Sequence, residues 1–437
     1  MQWKTAEYSG WGRALRARGT LARPEKLSAL SAALQGRGPA IGNRRSYGDG
    51  PIHDGGAAID MTRMDRLLSF DAETGVVEAE AGITIAELLR VFAHKGWMPA
   101  VMPGTGFATL GGCIANDVHG KNHHNAGSFG QHVLAVTLMT DNGPREVTLQ
   151  TNRGLFRATM GGQGQTGAIL SAKLQLKAIP GQRMRVKETR ISDFDSFLAA
   201  FDTSEAEYTV GWIDATKRGK RLGRGILEEG TLAEGGRPGP VKRSLSVPLD
   251  APHFALSWPV VKLFNAFYIS RIPDTSRKRT RPLEDFFFPL DRIHDWNRLY
   301  GKRGFHQFQC VVPLDKGPEL KAILTTIARA GIASPLAVLK KMGPGRAGHL
   351  SFPMAGYTLA VDFPARAKVP AIFARLEQQV LDAGGRLYFA KDALAHPDSI
   401  AAMYPELADW RAEVAKADPE GHLETDLVRR LKLRSAT

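Results

Sequence analysis

Three stretches of this sequence concentrate glycine among polar residues: Ile41–Gly50 (IGNRRSYGDG), Pro103–Gly130 (PGTGFATLGGCIANDVHGKNHHNAGSFG) and Met160–Gly167 (MGGQGQTG). Without a Cβ in the way, backbone N–H groups in such loops approach an anion closely, so phosphate binding is the chemistry they offer. None is a GxxxxGK[ST] loop. Taken singly, each reads as tight turns in a β-rich domain. His119, His123, His124 and His132 crowd into the second segment. A metal centre would need rigid ligands with a supporting shell, and this loop has neither an HExxH pattern nor cysteine partners, so no metal is expected. Further on, Gln307 and Gln309 alternate within an apolar run, which turns both amides to one face of a strand.

The elements that must hold these residues are short. Runs at 57–61, 76–80 and 133–140 read as strands, and Ile83–Phe92 carries a helical period with Ile85, Leu88, Leu89 and Phe92 on one face. No GxGxxG follows a first strand, so a Rossmann site is not expected. From about residue 184 glycine thins out. Segments 305–314 and 357–364 read as strands, each followed by an amphipathic helix (Glu319–Ala330 and Val369–Ala383), the second stopped by Gly384 and Gly385. Such an order predicts a sheet covered on one side. Glu229–Lys242 reads as a loop, and the tail to 437 as helical and polar.

With 437 residues the chain is long enough for two domains. Its net charge of +14 calls for an acidic partner, yet the basic residues are scattered and no nucleic-acid motif is present. Anionic lipid or a phosphorylated substrate accounts for the charge instead. Cys113 and Cys310 fit neither a disulfide framework nor a CxxC site. Neither a secretory signal nor a membrane-spanning run is read, so a cytoplasmic or peripheral inner-membrane protein is expected. The most apolar stretch, Val247–Ile269, is broken by three prolines and reads as a buried strand and helix in preference to a surface that meets lipid.

Read together and in order, the glycine-rich segments resemble the FAD-binding domain of the vanillyl-alcohol oxidase superfamily, the PCMH-type flavoproteins. GWGR (10–13), RRSYGDG (44–50), the long PGT…DVHGKNHHNAGSFG stretch (103–130) and GGQGQTG (161–167) are similar to the decaprenylphosphoryl-ribose oxidase family. So are WNRLYG (296–301), LSFP (350–353), VDFP (361–364), GGRLYFAKD (384–392) and MYP (403–405), and the resemblance spans nearly the whole chain.

The resemblance implies roles by position. Ala40, Ile41, Gly42, Asn43, Arg44, Arg45, Ser46, Tyr47, Gly48, Asp49 and Gly50 match the loop around the FAD pyrophosphate. Gly104, Thr109, Leu110, Gly111, Gly112, Asn116, Asp117, Val118 and His119 match a second FAD-contacting stretch, with Ile169 and Tyr388 as further contacts. Arg45 stands where some relatives carry a flavin-linked histidine, and arginine forms no such bond, so non-covalent FAD is implied. His119, Lys121 and Lys391 match the junction of flavin and substrate, with Lys391 as the electrostatic and orienting group; Gln307, Gln309, Lys340 and Trp212 match the substrate pocket. Phe287 and Thr358 depart from the family's usual tyrosine and asparagine, which leaves the exact sugar or lipid carrier open.

The implied whole is an α+β, two-domain protein: an FAD domain of residues 1–183 completed by 386–437, and a substrate domain of 184–385 built on an antiparallel sheet covered by helices. The implied reaction is oxidation of the 2-hydroxyl of a polyprenylphosphoryl-ribose to the keto sugar, with an NAD(P)H-dependent short-chain reductase completing epimerisation. An aldonolactone or alditol oxidase acting on a soluble sugar is the alternative.

Overall fold

The computed structural model describes residues 2–35, 38–140, 143–235, 243–273 and 276–435. Three sheets carry the architecture. In the first, Lys4–Ser9, Arg16–Ala22, Ala57–Asp60 and Ala40–Ile41 lie side by side in that order. The second is centred on the long strand Ala168–Ala178, flanked by Val76–Glu80 and Val133–Thr140. Its interior packs on the helix Ile85–Phe92, whose buried residues are Ile85, Leu88, Leu89 and Phe92. That helix starts at Ile85 and not at Ile83, because Thr84 and Glu87 form a reciprocal capping box that fixes the first turn.

The third sheet has eight antiparallel strands, ordered Arg277–Pro282, Arg183–Ile191, Gly225–Ala233, Tyr208–Ile213, Ala337–Met342, Gly356–Pro364, Phe305–Pro313 and Arg386–Leu387. Period-2 alternation divides its two faces. Phe308, Cys310, Leu339, Val361 and Leu359 enter a core with the helices Phe194–Thr203, Gly317–Ala330 and Val369–Asp382. The alternate residues face an internal cavity. This α+β arrangement is the one expected. Gly384, at φ +66°, follows the last helix as the expected stop.

Two expectations are corrected. The stretch 229–233 is not a loop: it ends the strand Gly225–Ala233, because pairing with Arg183–Ile191 along its length overrides a glycine-containing composition. Of the rest of that predicted loop, 236–242 lies outside the described residues. Nor is Val247–Ile269 buried. The helix Trp258–Ser270 buries only Val261, Asn265 and Ile269, while Leu263 and Phe267 are 73% and 72% exposed. A polar anchor explains the choice of face: Asn265 donates to the buried Asp214 at 2.8 Å, and that bond turns the apolar stripe outward.

The tail is tied back to the first segment. Its helices are Pro397–Met403, Leu407–Ala417 and Asp426–Arg430. Arg430 in the last of them clamps the buried carboxylates of Asp49 and Asp392 at 2.7 and 2.8 Å.

Candidate active site

The three glycine-rich segments meet. The N–H groups of Gly161 and Gln163 donate to the carbonyls of Ile114 and Ala115, which locks the third segment to the second. Gly42 approaches Thr109 so closely that a Cβ would stand 2.4 Å from its Oγ1, which brings the first segment against the second. Each segment also contributes one non-glycine residue in the left-handed region: Arg44 at φ 49°, Asp117 at 38° and Gln163 at 57°. Such conformations cost roughly 1–3 kcal/mol each and persist where surrounding structure imposes them, commonly at ligand sites.

Between the segments and the large sheet lies a cavity of about 500 Å³, a size typical of cofactor and substrate sites. Residues 40–47 and Gly50 line it, as do Gly104, Thr109, Gly111, Gly112, Asn116, Val118 and His119. Ile169 and Tyr388 reach it from other elements. Four expected cofactor contacts sit behind the wall. Gly48 packs against the Asp392 carbonyl, and Asp49 is the partner of Arg430. Leu110 is fully buried in the core. Asp117 accepts from the N–H groups of Gly130 and Ala347 and from the Ser351 hydroxyl, which makes it a brace for the histidine loop.

The short helix Leu110–Ala115 offers less to an anion than its sequence suggests. The N–H groups of Leu110, Gly111 and Gly112 are taken by Ile83 O, Ala81 O and Thr109 Oγ1. Polar capacity remains on side chains instead. Arg45 Nε, Asn116 Oδ1 and His119 Nδ1 are buried at the cavity without a hydrogen-bond partner among the described residues. The Arg45 guanidinium lies between the rings of Trp11 and Phe107, 4.3 and 4.7 Å from their centroids. That stacking fixes a planar cation beside the first segment.

Sheet register assembles the other wall. Gln307 lies opposite Asp362 and Gln309 opposite Ala360, while Val338 links Ala360 to Trp212. All of these, with Lys340, face the cavity. Gln309 Nε2 donates to Thr358 Oγ1 at 3.2 Å and lies 3.1 Å from His119 Nε2. An amide nitrogen only donates, so the ring accepts at Nε2 and carries its proton on Nδ1. Burial, followed by the nearby Lys340, holds the His119 pKa well below the usual range, so the ring is neutral. The three other histidines serve the backbone: His123 Nδ1 accepts from Gly343 N, while His124 and His132 bond the carbonyls of Ala206 and Ala126.

Three lysines share the cavity. Lys121 donates to the Phe286 carbonyl with its ammonium 4.0 Å from that ring, and burial lowers it to about 8. Burial and the neighbouring Lys121 also bring Lys340 to about 8. Lys391 sits 3.5 Å over the Tyr47 ring, where burial pushes its pKa down. Burial pushes Asp362, whose charge acts on Lys391 in the opposite sense, up. Asp362 accepts from Tyr300 at 3.0 Å and from Gln307. Asp362 and Tyr300 were not singled out from the sequence. Tyr300 lies within WNRLYG and Asp362 within VDFP, but neither motif tells which of its residues reaches the other across the sheet. Asp291, which accepts from Gly106 N at 2.6 Å on the cavity wall, carried no signal in the sequence.

The profile of the family described as "FAD binding domain" matches residues 25–148. Decaprenylphosphoryl-beta-D-ribose oxidase of Mycolicibacterium smegmatis is 37% identical, over 98% of this chain and 98% of that protein. The chain belongs to the decaprenylphosphoryl-ribose oxidase family. It is thus an FAD-linked oxidoreductase of the kind that acts on CH–OH groups. An uncharacterized Streptomyces coelicolor protein from the mprA 5′ region, 31% identical and matched over its whole length, is similar to 80% of the chain. L-Gulonolactone oxidase of Bos taurus is 31% identical over 34% of each chain. For a member of the decaprenylphosphoryl-ribose oxidase family, the partnerless polar atoms of Arg45, Asn116 and His119 beside three interlocked glycine-rich turns fit an FAD.

Proposed function

We propose that this protein oxidises the 2-hydroxyl of a polyprenylphosphoryl-β-D-ribose to the 2-keto sugar, with FAD held non-covalently. The observation that carries this reading is the meeting of Lys391, His119 and the Gln307–Asp362 pair in one cavity with the glycine-rich segments. Residues 1–183 and 386–437 form the FAD domain and 184–385 the substrate domain in this reading.

Bound FAD supplies the acceptor for the carbinol hydrogen, which leaves as hydride. The protein's part is to place the alcohol and take its hydroxyl proton. Lys391, already favoured toward its neutral form by burial, is the group that takes it, and Asp362 with Tyr300 extends the path away from the sugar. Once protonated, Lys391 becomes a cation in a dry site and stabilises negative charge that develops nearby. Neutral His119, held by Gln309, has an Nδ1–H to donate. Gln307 and Gln309 read sugar hydroxyls, and Trp212 closes the far wall with its Nε1 committed to the Pro335 carbonyl. Lys340 with Lys121 supplies the positive charge for the phosphate. Arg45 supports non-covalent attachment, because a guanidinium stacked between two rings forms no bond to a flavin.

A short-chain NAD(P)H-dependent reductase would return hydride from the other face to complete epimerisation. Peripheral attachment to the inner membrane suits a lipid-carried substrate, and no helix among the described residues is long and apolar enough to cross a membrane. Anaerobic bleaching of the flavin's visible band tests the reading. Prenylphosphoryl-ribose should bleach it and free pentoses or aldonolactones should not; equal bleaching by a free sugar would favour a soluble-sugar oxidase.

A further inference from the structure

The helix Trp258–Ser270 presents to solvent what most helices bury. Val260, Leu263, Phe264 and Phe267 follow i, i+3, i+4, i+7 spacing and form one outward stripe. Their exposures run from 44% to 73%, and Leu249, just before the helix, is 78% exposed. Contiguous apolar surface of this kind marks a contact site. Trp258 borders the stripe with the Lys262 ammonium 4.7 Å from its ring, the pairing of aromatic and cation found where protein meets lipid headgroups.

Charge beside the stripe selects the occupant. Arg271 caps the helix and stacks on Tyr268 at 3.8 Å. Together with Arg277, Arg279 and Arg281 from the edge strand it converges on the fully buried Glu188, and Arg281 also reaches Glu228. Among the described residues, four guanidinium groups converge on these two carboxylates, and those of Arg271, Arg277 and Arg279 are each about a third exposed.

We infer that this face, the outward stripe of Trp258–Ser270 with the arginine cluster at its end, docks the protein on an anionic phospholipid bilayer. Apolar side chains enter the acyl boundary while the arginines and Lys262 meet lipid phosphates. A second copy is the poorer occupant, since a two-fold contact pairs the stripe with itself and brings the arginines no anion. The same helix gives Tyr268 to the cavity wall, beside Trp212, Ile226 and Glu228. Docking therefore sets the cavity next to the lipid surface. The inference needs no particular sugar, so its failure and that of the proposed reaction are separable.

Sedimentation of the full-length flavoprotein with vesicles tests it. Wild type should pellet with phosphatidylcholine–phosphatidylglycerol (2:1) and release as salt is raised. It should stay in solution with phosphatidylcholine alone. Leu263→Ser/Phe267→Ser should weaken binding at least about tenfold, with flavin content unchanged. Lys262→Glu should weaken it on the anionic vesicles. Hydrogen exchange of wild type should slow across 258–270 when anionic vesicles are added, a readout that needs no variant to fold. Absence of binding, equal binding by the serine variant, unchanged exchange in this helix, or a dimer in light scattering that the serine variant dissolves would each overturn the inference.

Discussion

The Nζ of Lys391 rests 3.5 Å over the ring of Tyr47, and the Tyr47 N–H donates to the carbonyl of Ala390 at 2.9 Å. Residues from opposite ends of the chain are thereby joined at the point where the two walls of the cavity meet. The stacking holds the lysine in a dry setting, and dryness is what lowers its proton affinity. Lys391→Ala should keep its flavin and lose roughly 10²- to 10⁴-fold in turnover, the usual worth of a positioned acid–base group. Wild-type rates in stopped-flow flavin reduction would remove the lysine from the mechanism.

Gly48 does not touch the cavity, yet it sets this junction. A Cβ there would lie 1.6 Å from the Asp392 carbonyl oxygen, a backbone atom that has nowhere to go. Gly48→Ala should push the Tyr47 loop from the Lys391 loop and destabilise the protein by about 1–3 kcal/mol or more. Urea unfolding measures the first effect, and a fall in turnover beyond that in flavin content measures the second.

Arg430 bonds Asp49 and Asp392, both nearly buried, so removal of the guanidinium strands two carboxylates. Arg430→Met should cost about 3–5 kcal/mol, as for other broken buried ion pairs. Tail hydrogen exchange should rise with it. A stability within error of wild type would show that the tail docks by packing alone.

Two buried cations make the cofactor-free protein sensitive to alkaline pH. Lys121 and Lys340 are each lowered from 10.5 to about 8. Between those values the unfolded chain holds more protons than the folded one, so these groups make stability rise with pH. Below about 8 both states are protonated and the burial cost is present in full. Lys340→Met should remove its own part of that rise, to which Lys391 also contributes. Urea midpoints of both proteins across the window provide the check, and an unchanged slope would count against a buried charge at this position.

Flavin attachment has a direct readout. On the proposed reading, in which Arg45 takes the linkage position, acid precipitation should release all the flavin into the supernatant; its guanidinium lies between Trp11 and Phe107. Flavin that pellets with the polypeptide would require a covalent bond elsewhere.

Much of this was legible in the residues. Alternation and helical spacing located the strand that carries Gln307 and Gln309 and the helix with Leu88 and Leu89, because local geometry repeats with a fixed period. The order of the glycine-rich segments carried the family. What no local pattern held was decided by packing between distant parts. Asp362 became a site residue through its register opposite Gln307, and Gly48 and Asp49 were drawn behind the wall by Asp392 and Arg430. The helix Trp258–Ser270 turned its phenylalanines outward because Asn265 bonds a buried aspartate. Periodicity tells which residues share a face; only the partners that face meets, through hydrogen bonds and ion pairs long in sequence, determine whether it looks in or out.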